Sequence, residues 1–432
     1  MNSIYSQLLH LAMPQVIVVA TALLVMAIDL LFLKQSATRM RFAVAATLAS
    51  IGCLAAIARI VTTCGSASIF NGMLIANPLT HMVQVALLVL TIFTLLLSVN
   101  STFTEHVGEF VLLLLVATAG MMFLVGTQDL LVIFISLELL SLSAYILAAF
   151  NKRSRQSWEA ALKYFLFGGM SAAFLLFGFS LLYGLSNSTS FTAIAAAIHG
   201  PALNPILIIA IVTTAIGLGF KVAAAPFHFW APDVYQGAPA PSAAFIASGS
   251  KVASFFIFFQ LMTLRFAGAE GSAALPHFVR GWVPVVALMA VASMLLGNLV
   301  ALRQTGLRRL LAYSAIAHAG YMLLAIVGHT QQSLAALLYY VITYALGTIG
   351  AFAVISVVED QRGSDQLSNF DGLGKQAPTL SFGLAIFILS LAGIPPLAGF
   401  FAKFFLFVTL LKSSAPAGIV WMVVLAIAMS AV

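Results

Sequence analysis

Residues 215–241 read AIGLGFKVAAAPFHFWAPDVYQGAPAP. A hydrophobic run carries a lysine, Lys221, and is then interrupted by Pro226 and Pro232. Proline lacks the backbone donor and its ring clashes with the preceding turn, so the helix is expected to break there. In hydrocarbon, broken backbone is tolerated only where protein or a water-filled cavity satisfies the freed polar groups. A second stretch, residues 389–407, repeats the arrangement as LSLAGIPPLAGFFAKFFLF. Gly393, Pro395, Pro396 and Gly399 interrupt this run, and Lys403 follows the interruption.

The surrounding composition says what kind of solvent these segments meet. Of 432 residues, 62% are hydrophobic and only 7% are charged, against about 25% charged in a soluble domain. The fold class is therefore an all-α, polytopic transmembrane helix bundle. At about 20 apolar residues per crossing, roughly thirteen spans fit the chain. The first, from Pro14 to Leu33, lacks a basic leader and is followed by basic residues, so it reads as a spanning helix and not a signal peptide. The last runs to Val432 with no polar tail, which predicts further chain beyond it. The net charge of +7 reflects basic loops, and no basic face interleaved with aromatics points to nucleic acid. Cys53 and Cys64 form neither a metal spacing nor a disulfide framework.

Loop charges set the orientation. With the N-terminus outside, eleven loop cations from Lys34 to Lys375 lie inside, and Arg59, Arg265, Arg280 and Lys412 lie outside. The two breaks are five spans apart, an odd number, so the segments containing them run in opposite senses. Interrupted helices at matching places in inverted repeats are the best sequence pointer to an ion site. The expected division is three N-terminal helices (1–107), a first five-helix repeat (108–267) and a second (268–432), each repeat with one broken helix.

Five ionisable residues fall inside apolar segments: Glu138, Lys163, Lys221, Lys251 and Lys403. Such a group costs about 2.5 kcal/mol or more at the bilayer centre, and it marks a functional site by default. Burial favours the neutral form of a lysine, and an approaching carboxylate restores its charge. That is the behaviour of a proton-transfer group. Ser136, Ser141 and Ser143 flank Glu138 as possible hydrogen-bond partners, and small residues around Lys251 leave room for water. Lys163 begins its span and can reach the headgroups. His228 follows Lys221 across the break, and His318 lies mid-span and could bridge the two halves. His10, His81, His106, His199, His277 and His329 lie near span ends. Asp29 and Asp129 are expected as satisfied helix-end groups, and Asp233 as a turn former. No phosphate loop, CxxC pair or zinc motif is visible, so no cofactor or metal is assigned to this chain.

Four of these runs together, FKVAAAPFHFWAPDVYQGAPAP, LELLSLSAYIL, LRRLLAYSAIAHAGYML and LAGIPPLAGFFAKF, resemble the antiporter-like subunits of respiratory complex I. These are relatives of multi-subunit sodium/proton antiporters, and PDVYQGAP resembles the N branch of the complex I subunits. The resemblance covers essentially the whole chain. It implies a fold of about fourteen helices, with Glu138 and Lys221 as a coupled pair, Lys251 as central relay, Lys403 as gate residue and Lys163 as a further family lysine. It also implies lipid and other membrane-arm subunits as partners, a bacterial inner-membrane location, and NADH, flavin, iron–sulfur clusters and quinone held by partner subunits. The competing readings are a stand-alone cation/proton antiporter subunit, a membrane-arm spacer that pumps nothing, and the membrane arm of a hydrogenase.

Overall fold

The computed structural model describes residues 2–63, 65–197, 204–266, 268–274, 277–412 and 419–431. Cys64, His199 and Val432 lie outside the described residues. In chain order the helices begin with α1 (Asn2–Ile28), α2 (Thr38–Thr62), α3 (Pro78–Ser98), α4 (Val107–Val125), α5 (Leu130–Ala148) and α6 (Arg155–Ser186). They continue with α7 (Phe191–Ala197), α8 (Pro205–Lys221), α9 (Trp230–Gly237), α10 (Ala240–Ala247), α11 (Gly249–Arg265) and α12 (Trp282–Ala301). The last are α13 (Leu307–Gly328), α14 (Gln331–Arg362), α15 (Leu373–Gln376), α16 (Pro378–Ala392), α17 (Ala398–Lys412) and α18 (Val420–Ser430). Strand among the described residues is limited to two antiparallel hairpins, Ala67–Ile69 with Leu74–Ala76 and Ser272–Ala274 with His277–Val279.

Ten helical segments among the described residues are long and apolar enough to cross a membrane, and α8, α16 and α18 are shorter apolar helices. Each of the thirteen expected spans contains one of them. One span departs from expectation. The segment holding Lys251 is not a plain helix, because Ser248 leaves helical geometry (φ −115°, ψ −86°) between α10 and α11. Pro232 also behaves differently from Pro226. It sits in the first turn of α9, where a missing N–H removes no helical bond, so it starts the helix instead of breaking it.

The chain forms two compact units. The first comprises residues 1–165, 189–191 and 237–253. Within it α4 is largely enclosed, whereas the first span is mostly exposed. Polar contacts hold α4 in register with its neighbours. Thr118 and Thr91 hydroxyls meet at 3.0 Å, and Gln84 Nε2 donates to the Met122 carbonyl at 3.0 Å. Asp29 opens a π-helical turn, Asp29–Leu33, and its carboxylate takes both Nε (2.8 Å) and Nη2 (2.6 Å) of Arg41. It also accepts the Gly108 N–H at 2.9 Å. Arg41, placed among the loop cations by its sequence position, is therefore a buried partner inside the bundle. Asp129 caps α5 by accepting the Leu131 and Val132 N–H groups.

The second unit comprises residues 166–188, 192–236 and 254–432. Its core helix is α13, most of whose residues are buried. Small residues let α12 approach it: side chains at Gly297 or Gly320 would run into the Ala317 backbone or the Ala290 carbonyl. Close backbone approach at small residues is the usual means of helix association in lipid, where apolar burial drives little.

Candidate functional site

Both proline-rich stretches interrupt their helices. The first helix ends at Lys221, and the chain turns through residues 222–229, with Ala223 at positive φ (57°) and a cis Ala225–Pro226 bond, before α9 starts. The second ends at Ala392, turns at Gly393 (φ 86°) and a cis Pro395–Pro396 bond, and resumes as α17. The freed backbone groups at the first break find protein partners. Ala225 N donates to Ser293 Oγ on α12 at 2.8 Å, while Ser293 Oγ donates to the Met289 carbonyl. Trp230 Nε1 donates to the Phe220 carbonyl at 3.0 Å. At the second break, Gly399 N donates to Ser390 Oγ at 3.2 Å. Any side chain at Gly399 would collide with the Ser390 carbonyl, so the two half-helices close on each other through that glycine.

A lysine meets the carboxyl end of each leading half-helix. Lys221 is the final residue of α8, only 6% exposed, with Nζ 5.6 Å from the Phe220 ring centre. Lys403 comes from the following half-helix, yet its Nζ donates at 2.8 Å to the carbonyl of Ala392, the final residue of α16. The aligned peptide dipoles leave partial negative charge at a helix C-terminus, which favours an ammonium there. The two lysines therefore serve equivalent helix ends although one precedes its proline and the other follows. Gly393 makes this possible, since a Cβ there would lie 3.0 Å from Lys403 Cδ. Gly393→Ala is expected to cost about 1–2 kcal/mol in backbone strain alone. It should lower the thermal unfolding midpoint of the purified protein, and an unchanged midpoint would show that this turn relaxes freely.

Lys403 also donates to Ser430 Oγ at 2.6 Å and lies 5.2 Å over the Tyr321 ring. It opens onto a cavity of about 400 Å3 lined by Asn298, Ser314, His318, Tyr321, Lys403 and Ser430 together with apolar side chains. His318 Nδ1 is 2.9 Å from Tyr340 Oη, and its ring packs among Tyr321, Tyr340 and Tyr344. Thus two of the expected residues, His318 and Lys403, share one cavity. Of the residues missed in the sequence, Tyr321 is one helical turn from His318 on the same face and was legible by spacing. Asn298, Tyr340 and Ser430 come from other helices and were not.

The remaining expected residues fall elsewhere. Lys251 is fully buried just past the Ser248 kink, where Ser248 Oγ donates to the Ala244 carbonyl at 2.6 Å. Glu138 is partly buried at mid-helix on α5. Of its flanking serines, Ser141 and Ser143 donate to the Leu137 and Leu139 carbonyls of the same helix. Lys163 pairs with Glu159 one turn earlier at 2.7 Å on a partly exposed face of α6. His228 stacks on Phe229 within the first break. Asp233 forms no turn; it lies in α9 and pairs with Arg309. Among the described residues no group of three or more His, Cys, Asp or Glu could hold a metal ion.

Interrupted membrane helices with buried lysines at their broken ends define a class, the multi-pass helical proteins built around intramembrane ionisable groups. Comparison with known proteins makes the assignment specific. Residues 127–430 match the transmembrane family NADH:quinone oxidoreductase/Mrp antiporter. NADH-quinone oxidoreductase subunit N 2 of Acidobacterium capsulatum is 54% identical, over 99% of this chain and 88% of that protein. A chain of respiratory complex I from Thermus thermophilus superposes with a TM-score of 0.77 at 34% identity, covering 97% of this chain and 86% of that one. A chain of the Mrp complex of a Dietzia species shares the fold alone, with a TM-score of 0.80 at 22% identity, covering 96% of this chain and 46% of that one. The chain belongs to the NADH:quinone oxidoreductase/Mrp antiporter family, among the subunit N proteins of NADH-quinone oxidoreductase.

Proposed function

We propose that this chain is a proton-translocating membrane-arm subunit of NADH–quinone oxidoreductase, in a bacterial cytoplasmic membrane with its N-terminus outside. The observation that carries the reading is the buried lysine at the carboxyl end of each leading half-helix. The Lys403 ammonium, held by a carbonyl, a hydroxyl and a helix dipole, changes protonation when the local field changes. The relay uses Glu138, Lys221, Lys251 and Lys403, with His318 and its tyrosine neighbours carrying hydrogen bonds beside Lys403. Residues 108–267 and 268–432 act as inverted repeats around it. Neighbouring membrane subunits deliver the driving signal, and NADH, flavin, iron–sulfur clusters and quinone belong to partner subunits. A contact charge pair is worth about 4 kcal/mol at an effective dielectric of about 20. Since one pKa unit is about 1.4 kcal/mol, gain or loss of such a pair moves a lysine by nearly three units, enough to release its proton near neutral pH.

The test is proton uptake and NADH oxidation in membrane vesicles, each normalised to assembled complex, for Lys221→Ala against wild type, with assembly followed on native gels. The expected result is normal assembly with pumping and quinone reduction lost. Wild-type pumping from the assembled variant would reject the relay and leave a spacer.

A further inference from the structure

We propose that the ionic cluster at the start of α13 is a coupling clamp, which fastens the trailing half of the first broken span to the helix that carries His318 and so passes movement at the Lys221 break to the Lys403 cavity. The inference rests on the relay reading and adds positioning residues to it. Arg309 Nη1 donates to Asp233 Oδ1 at 2.9 Å and to Gln236 Oε1 at 3.2 Å, two acceptors one turn apart on α9. Arg308 Nη1 donates to the Gln236 carbonyl at 3.3 Å, and its Nη2 donates to Glu359 in the last turn of α14. Asp365, just beyond α14, accepts the Arg308 N–H at 3.0 Å, and its carbonyl takes the Leu307 N–H at 2.9 Å. It thereby caps α13, whose own preceding residue, Gly306, has no side chain to do so.

The other end of α9 is tied to the lysine. Trp230, the first residue of α9, bonds the carbonyl of Phe220, the neighbour of Lys221. A continuous run of contacts therefore goes from Lys221 through Trp230 and α9 to Arg308 and Arg309, and along α13 to His318 in the Lys403 cavity. Contiguity alone does not prove coupling; an element with two arrangements does. One Arg309 nitrogen, Nη1, reaches two acceptors at once, so α9 can shift against α13 by exchanging one for the other.

The test uses the assembled membrane complex in vesicles and reads the number of protons taken up per NADH oxidised. It compares Asp233→Asn, Arg309→Gln and the exchanged pair Asp233→Arg with Arg309→Asp. If the clamp couples, each single variant lowers that ratio and the exchanged pair recovers it, a non-additivity that neighbouring partners show. If the singles change only assembly or thermal midpoint, and the assembled fraction keeps the wild-type ratio, the cluster is structural and the clamp is rejected. Should the singles not assemble, Arg309→Lys decides, because it keeps the charge but shortens the side chain and so withdraws the donor from Asp233 and Gln236: a lowered ratio supports the clamp and a wild-type ratio rejects it. Lys221→Ala run in parallel separates the two ideas. Normal pumping there rejects the relay, whereas a normal ratio in the Asp233 and Arg309 variants rejects the clamp.

Discussion

Lys403→Arg is expected to assemble normally and to abolish NADH-driven proton uptake, and Lys403→Met is expected to lose uptake by a different route. Lys403 Nζ holds the Ala392 carbonyl and Ser430 Oγ at the edge of a cavity of about 400 Å3, so a guanidinium has both partners and room. Arginine therefore preserves the charge at the α16 terminus and the bonds across the break. It does not give up its proton near neutral pH, because a guanidinium stays protonated in proteins. Methionine removes both the charge and the donor that the Ala392 carbonyl and the Ser430 hydroxyl share. The measurement is vesicle acidification per NADH oxidised, normalised to assembled complex. Wild-type uptake in Lys403→Arg would mean that the residue serves only as a fixed charge.

Asp29→Ala is expected to be the most destabilising single change in the first unit. Its carboxylate neutralises Arg41 in a two-point contact and also accepts the Gly108 N–H, and it is 1% exposed. Removing it strands a buried guanidinium, which costs about 3–5 kcal/mol. The double replacement Asp29→Leu with Arg41→Met removes both charges together and is expected to recover most of the loss, because a buried ion pair contributes little over apolar packing. Thermal unfolding of the purified complex reads both effects. Equal midpoints for Asp29→Ala and wild type would show that water reaches Arg41.

The breaks illustrate how much of the site was legible. Pro226, Gly393, Pro395 and Pro396 announce interruption because proline and glycine act on their own backbone, whatever surrounds them. Pro232 has the same chemistry and the opposite effect, since its place in the first turn of α9 depends on where the preceding turn ends. Ser248 gave no such signal, and its kink beside Lys251 arises in a fully enclosed stretch. Ser141 and Ser143 were read beside Glu138 from spacing, and the structure adds that each also bonds a carbonyl of its own helix.

Composition and apolar run length alone determined that this chain is a multi-pass helical membrane protein, because every peptide group in hydrocarbon must be bonded within its own segment. The rarity of charge in those runs likewise singled out Glu138, Lys163, Lys221, Lys251 and Lys403. Only the tertiary structure decided that Lys403 serves the end of α16, that His318 shares its cavity, that Lys163 pairs outward with Glu159, and that Asp29 and Arg41 are one buried unit. The physical reason is range. Helix breaking and desolvation act on a residue and its immediate chain neighbours, whereas hydrogen bonds and ion pairs join whichever helices packing brings within about 3 Å.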